Sequence, residues 1–413
     1  AGGRRMARPT LHRIAIATAL VVAIVVSVAV FTRNSTPPAP APGTGAAGST
    51  AGDEWPTQTW RTSTPEEQGM DPAQLAQKMA YIDEHDMAID SIVVVRHGQI
   101  VFEEYRNGYH EKRKHHIQSV TKSFSSMLIG IAIQQGLIED VGQSMVDLFP
   151  DHTMANMDAR KQRITLENLL TMSDGMDWHE LDYPYSHPEN TLGQMWESRD
   201  AVQHVTDRPM AREPGEAWAY NSGTSILLGG IIEEVSGRDV LGFAREHLFD
   251  PIGIGEVLWT LTTGSHYHTD GGLYLTPRDM ARFGYLMLRG GTWDGREIVP
   301  AEWVVRSSTA YYQTPWGYGY GYQWWILPDG SGYGATGHYE QRIFVLPEAD
   351  SVVVFTADIP DDDPNRADGL LYRFILPAFT DLAAEGSGRE YANYGFTFAP
   401  PPGFTVQEAP IPG

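Results

Sequence analysis

Extended, β-branched segments sit near both ends of this chain, and helical patterning fills the space between them. In "SIVVVRHGQIVFEEY", residues 92–95 form a short β-branched run. "RHGQ" with Gly98 makes a turn, and residues 100–105 form a second strand, which together predict a hairpin. Far downstream, "YGYQWWIL", "RIFVLP" and "SVVVFTA" are again strand-like, the last two joined by "PEAD". Between these ends the period changes. Residues 71–84 have helical spacing, with Asp71 as cap and Pro72 in the first turn. Residues 119–135 form an apolar helix closed by Gly136. "ITLENLLTMSDGM" is a short helix ended at Gly175, and "NSGTSILLGGIIEEVSG" a longer one ended at Gly237. "VLGFAREHLFDPIGI" adds another helix, and "TPRDMARFGYLML" one more, capped at Thr276 with Pro277 first and Asp279 three residues after the cap. The predicted architecture is α+β. It is an antiparallel sheet built from both chain ends, flanked by helices, with a mostly helical inserted subdomain at about residues 140–270.

Charge and the chain ends bound the setting. Thirty basic against 52 acidic residues give a net charge of −22, which argues against nucleic acid or an anionic membrane surface as a partner. Cysteine is absent, which excludes disulfides, thiolate catalysis and cysteine–zinc sites. Residues 1–13 form a basic flank with Arg4, Arg5, Arg8 and Arg13. Residues 14–31 form an apolar run whose polar members are Thr18 and Ser27. It reads as a transmembrane anchor or a cleaved signal segment. Either reading puts the following residues outside the cytoplasm and confines membrane contact to this segment. A Pro/Ala/Gly-rich linker is expected over residues 32–56, a folded domain over 57–380 and a Pro-rich tail over 381–413.

Within "SVTKSFSSML", Ser119 and Lys122 are three apart, so on a helix they share one face. A helix beginning at Ser119 would place both at its N-terminus, where the dipole disfavours a protonated amine. Apolar surroundings add desolvation and lower the lysine pKa further. A neutral lysine can take the serine proton and make a nucleophile. The Ser119 N–H could also point at a developing oxyanion. A polar first turn of a buried helix would show the same spacing.

Beyond this pair, a second segment, "PGEAWAYNSGTSILLGGIIEEVSG", carries Tyr220, Asn221 and Ser222. With "ITLENLLTMSDGMDW", "GGLYLTPRDMARFG" and "GATGHYEQRIFVLPEADSVVVFTA" in order, the sequence resembles the serine β-lactamase and penicillin-binding-protein superfamily, in its class C-like branch. That branch holds esterases, D-amino-acid peptidases and 6-aminohexanoate-dimer hydrolases, and the resemblance runs from about residue 57 to about 379. It implies a β-lactamase/transpeptidase-like fold, Ser119 as nucleophile, and Lys122 with Tyr220 as a coupled proton-handling unit. Asn221 or Ser222 would orient Lys122 or the substrate amide, although the family's Asn usually stands two residues after the Tyr. The third motif, Lys-Thr-Gly or His-Thr-Gly in relatives, is here Ala335-Thr336-Gly337 followed by His338. The His338 N–H matches the second oxyanion donor, and Gly337 lets the strand approach the substrate. Loss of the first basic residue argues against efficient capture of β-lactams or peptide C-termini.

Trp178, Tyr185 and Trp316 lie in aromatic-rich segments that would line a site for an apolar or amide substrate, or pack in the core. His115, His116, His266 and His268 lack a metal-binding spacing, so no metal and no cofactor is expected. The expected activity is a serine hydrolase acting on a small ester, amide or peptide. The resemblance favours a carboxylesterase or a 6-aminohexanoate-dimer-type amide hydrolase. The alternatives are a D,D-peptidase acting on cell-wall peptide, or a non-catalytic binding module of the same fold.

Overall fold

A computed structural model describes residues 55–384, apart from 265 and 362. The basic flank, the apolar run, nearly all of the expected linker and the tail from residue 385 lie outside the described residues. Trp55 and Pro56, expected in that linker, are packed: Trp55 lies at a tilt against Tyr285 and Trp293, and the Pro56 carbonyl accepts a 2.7 Å hydrogen bond from Arg282.

The main sheet has nine strands. In chain order they are β1 (Arg61–Thr62), β2 (Ile89–Arg96), β3 (Gln99–Tyr105), β4 (Tyr312–Gln313), β5 (Gly319–Tyr320), β6 (Trp325–Ile326), β7 (Tyr333–Gly337), β8 (Gln341–Leu346) and β9 (Ser351–Ala357). Their spatial order is β1-β3-β2-β9-β8-β7-β6-β5-β4. Every pairing is antiparallel except β1 with β3. The early hairpin and the late strands therefore meet in one sheet, with Val93 opposite Val354 and Val94 opposite Val353.

The β-branched runs are continuous because both faces are covered. Val93, Val95, Val352 and Val354 face one apolar core. Ile92, Val94, Val353 and Phe355 face another. This is the period of two expected of a strand, repeated on both sides. Helix α1 (Pro72–Glu84) covers the second face together with the segment around Leu371 and Ile375. Helices α2 (Thr121–Gln134) and α4 (Pro277–Leu288) cover the first, where Phe124 and Phe283 stack at 3.6 Å between ring centroids. Helix α3 (Ser222–Ser236) belongs to the helical insertion, which also holds short helices Met145–Leu148, Leu166–Leu170, Thr191–Glu197, Ala201–Thr206 and Val240–Ala244. The α+β class and the helical insertion are as the sequence predicts.

Three boundaries differ from the sequence reading. α2 begins at Thr121, and Ser119 lies in a preceding 3-10 turn over Gln118–Val120. The helix expected to end at Gly175 stops at Leu170, because Met172 adopts a left-handed conformation at φ 53°. "YGYQWWIL" is two short strands, not one, since Gln323 turns the chain at φ 63°.

Candidate active site

The nucleophile candidate owes its position to a backbone turn. Gln118 is a non-glycine residue at φ 52°, an uncommon conformation that reverses the chain immediately before Ser119. The Thr121 hydroxyl steadies the turn by donating to the Gln118 carbonyl at 2.7 Å. Gly337, at the end of β7, comes so close that a Cβ there would sit 2.5 Å from the Ile117 carbonyl oxygen. A side chain at 337 would push the strand edge away from the turn.

Ser119 opens onto a cavity of about 460 Å3. Lys122 is 3% exposed, and its Nζ lies 2.9 Å from Ser119 Oγ and 2.6 Å from the Asp270 carbonyl oxygen. The Tyr220 phenol is hydrogen-bonded to Ser119, and its ring centroid is 5.2 Å from Lys122 Nζ. The three residues thus form one contact chain although they come from two distant segments.

Electrostatics separate their roles. Burial lowers the Lys122 pKa, opposed by the charges of Asp270 and Glu180. Burial, reinforced by Glu180, pushes the Tyr220 phenol well above its ordinary value, against the Ser119 hydrogen bond. The resting tyrosine is therefore a neutral phenol, and the amine is the member of the pair poised to accept a proton. Burial would also raise Asp270, but its contact with His268 and the charge of Lys122 hold that carboxyl below its usual range.

Two further buried carboxyls clamp the segment that carries Tyr220. Asn221 donates to Asp174 at 3.3 Å, and Ser222 donates to Glu180 from both its hydroxyl (2.6 Å) and its N–H (2.8 Å). Burial raises the Asp174 pKa to about 6 and raises that of Glu180 too, the latter opposed by Lys122 and by its hydrogen-bond donors. Asn221 and Ser222 thus reach carboxylates in the segment before them, where Lys122 or the substrate was expected. Trp178, expected to line the site, donates its indole N–H to Glu180 at 2.9 Å and packs against the core. Tyr185, Trp316, Thr336, Gly337 and His338 do line the cavity.

The far end of the cavity is ionic. Arg342 and Arg366 line it, each paired with Glu340, and Arg342 also with Asp368. Arg342 in addition donates to the Gly337 carbonyl at 3.0 Å, bracing the end of β7. His338 Nδ1 lies 2.7 Å from Asp361. Ala335 is fully buried in the core, so no cation projects from its position.

Glu180, Asp174, Asp270 and Gln118 were missed by sequence reasoning. A signal existed for Asp270 and none for Glu180. "DWHE" contains Glu180 but reads as an aromatic stretch, and "HYHTD" places His268 and Asp270 at the i, i+2 spacing of one strand face.

A family model described as Beta-lactamase matches residues 67–376. The 6-aminohexanoate-dimer hydrolase of Paenarthrobacter ureafaciens is 26% identical over 316 residues, covering 71% of this chain and 79% of that protein. The lovastatin esterase of Penicillium rubens is 31% identical over 113 residues, 26% of this chain and 27% of that one. Among solved structures, a family VIII carboxylesterase superposes with a TM-score of 0.58 at 15% identity, over 74% of this chain and 96% of its own, a likeness of fold.

Proposed function

Because the chain belongs to the beta-lactamase family and is a serine hydrolase, we propose that it cleaves an ester or small amide through an acyl-enzyme on Ser119. The observation that carries this reading is the contact chain Lys122–Ser119–Tyr220 at the wall of an aromatic cavity.

In this mechanism Lys122 Nζ takes the Ser119 hydroxyl proton across the 2.9 Å contact. Ser119 Oγ bonds to the substrate carbonyl carbon, and the carbonyl π pair moves onto oxygen. The N–H groups of Ser119 and His338 receive that oxyanion. Tyr220, a neutral phenol beside Ser119, relays a proton to the leaving group, and its own proton is replaced from Lys122. Water then repeats the cycle on the acyl-enzyme. A substrate without a carboxylate at the recognition end suits the site, because Ala335 offers no cation and the lining guanidinium groups are already ion-paired. That supports a carboxylesterase or small-amide hydrolase over a D,D-peptidase. The basic flank and the apolar run over residues 14–31 support an extracytoplasmic enzyme tethered or exported by that segment.

The test is intact mass after separate incubation with a fluorophosphonate, a p-nitrophenyl ester and penicillin, on wild type and Ser119→Ala. The expected result is fluorophosphonate mass on wild type alone, ester turnover and no stable penicillin adduct. A wild type that takes up no fluorophosphonate overturns the hydrolase mechanism; a stable penicillin adduct moves the substrate to cell-wall peptide.

A further inference from the structure

Glu180 has no role in the proton path just described, yet it is built into the site more firmly than the residues that do. It is 2% exposed and lines the same cavity as Ser119. Three donors fix its carboxylate: Ser222 Oγ at 2.6 Å, Ser222 N at 2.8 Å and Trp178 Nε1 at 2.9 Å. Two of these come from the residue opening α3, two positions after Tyr220. The Glu180 backbone is held as well, since Asn190 donates to its carbonyl at 2.9 Å. These three donors offset part of the hydration that a buried carboxylate gives up.

The groups facing it say what that is. Lys122 and Tyr220 both feel its charge, as do Tyr185 and Tyr320. Around Lys122 the inventory is Ser119, the Tyr220 ring, Glu180 and Asp270, with His268 on the far side of Asp270. Asp270 is the other acid whose charge acts on Lys122, and the stronger of the two. Its carbonyl binds Nζ, while its carboxylate is shared between His268 at 3.2 Å and Trp196 at 3.4 Å. Glu180 makes no ion pair among the described residues, and Lys122 is the cationic side chain whose charge reaches it.

We propose that Glu180 is a positioning residue for the reaction at Ser119: through Ser222 it fixes the Tyr220 segment, and its negative charge steadies the ammonium that Lys122 becomes on taking the Ser119 proton. The inference rests on the Ser119 acyl-enzyme reading. The proton moves from Ser119 Oγ to Lys122 Nζ, so the pair changes from neutral hydroxyl and amine to a bonded ester oxygen and an ammonium. Glu180 neither gives nor takes a proton in this step. It supplies the fixed opposite charge that a buried, newly formed cation needs. The same charge disfavours a phenolate at Tyr220, which keeps that residue a donor.

The test is the pH profile of fluorophosphonate labelling for wild type, Glu180→Gln and Glu180→Asp, with Ser119→Ala as the blank. Labelling should rise with pH as Lys122 loses its proton. Removing the neighbouring negative charge makes the ammonium less stable, so in Glu180→Gln the acidic limb should move down by about one pH unit. Its plateau rate should fall roughly tenfold, because the ammonium formed at the transition state keeps Asp270 but has lost the second of its two nearby negative charges. Glu180→Asp keeps the charge and should keep the limb in its wild-type place. A Glu180→Gln limb that does not move, whatever its plateau, overturns the proposal and leaves Glu180 a structural acid. A limb that moves as far in Glu180→Asp as in Glu180→Gln overturns it too, since charge would then not be the cause. Wild type that labels no faster than Ser119→Ala would instead sink the acyl-enzyme reading itself, an outcome distinct from both.

Discussion

Lys78 and Lys122 are both buried lysines, yet they sit in opposite environments. Lys78, on α1, is 0% exposed, and its Nζ lies 3.6 Å from the centroid of the Phe102 ring with no hydrogen-bond partner among the described residues. Burial lowers its pKa to about 7, opposed by Glu104. Lys122 is also buried, but its Nζ contacts a hydroxyl and a carbonyl, two carboxylates act on it by charge, and Ser119 connects it to a cavity. Lys161, in the helical insertion, is a third case: its Nζ donates to the Ala155 and Thr206 carbonyls at 2.6 and 2.7 Å and ties the loop at Ala155 to the end of the helix Ala201–Thr206. Burial alone makes an amine easier to deprotonate. What turns that into chemistry is an acceptor that is also a nucleophile and a path for substrate.

The comparison breaks most visibly at Lys122. Lys122→Met should lower p-nitrophenyl ester hydrolysis roughly 10^3-fold or more, since no other base contacts Ser119 Oγ in the chain of contacts described. Steady-state kinetics on a variant with a wild-type circular dichroism spectrum is the check, and activity within tenfold of wild type would remove the lysine from the mechanism. Lys161→Met should leave kcat/KM unchanged but cost about 2 kcal/mol, because the buried Thr206 carbonyl and the part-buried Ala155 carbonyl lose their donor. Urea unfolding would measure it, and an unchanged midpoint would mean the loop and the helix end hold without the amine.

Lys78 should behave in the opposite sense. Its folded pKa is about 7, whereas an unfolded lysine titrates near 10.4. Between those values the unfolded chain binds the extra proton, so stability rises as pH rises. From pH 7 to pH 9 the wild type should gain about 2 kcal/mol relative to Lys78→Met. Activity of that variant should match wild type. Parallel Tm–pH curves for the two proteins would show that Lys78 keeps its proton in the fold.

The sheet was legible from sequence because its signal is local and repeated: 92–95 and 352–355 each alternate between two cores, and both sides are apolar. The Ser119–Lys122 pair was legible for the same reason, a spacing of three residues. The start of α2 was misread by two residues because Gln118 is left-handed without being Gly or Asn. The carboxylate clamp was illegible for a different reason. Glu180 meets Ser222, and Asp174 meets Asn221, only after the insertion folds back on itself. Nothing in the local pattern of "DWHE" or "YNSG" encodes that meeting. Trp178, offered as cavity wall or core, packs against the core, and its indole N–H donates to Glu180, a partner the local pattern does not reveal.

The placement of β9 between β2 and β8 has a consequence for how the chain is made. The early hairpin leaves the ribosome with the β2 edge bare, and its partner is not translated until residue 351. At 5–20 residues per second that is a wait of roughly 10–50 s, during which an apolar edge is open to pairing with other chains. The helical insertion contains its own local contacts and can form meanwhile. The cavity wall beside Ser119 includes the end of β7, which is flanked on one side by β6 and on the other by β8 and then β9. A ribosome that stops short of residue 351 therefore releases a chain with its nucleophile already synthesised and without the strand that joins β2 to β8.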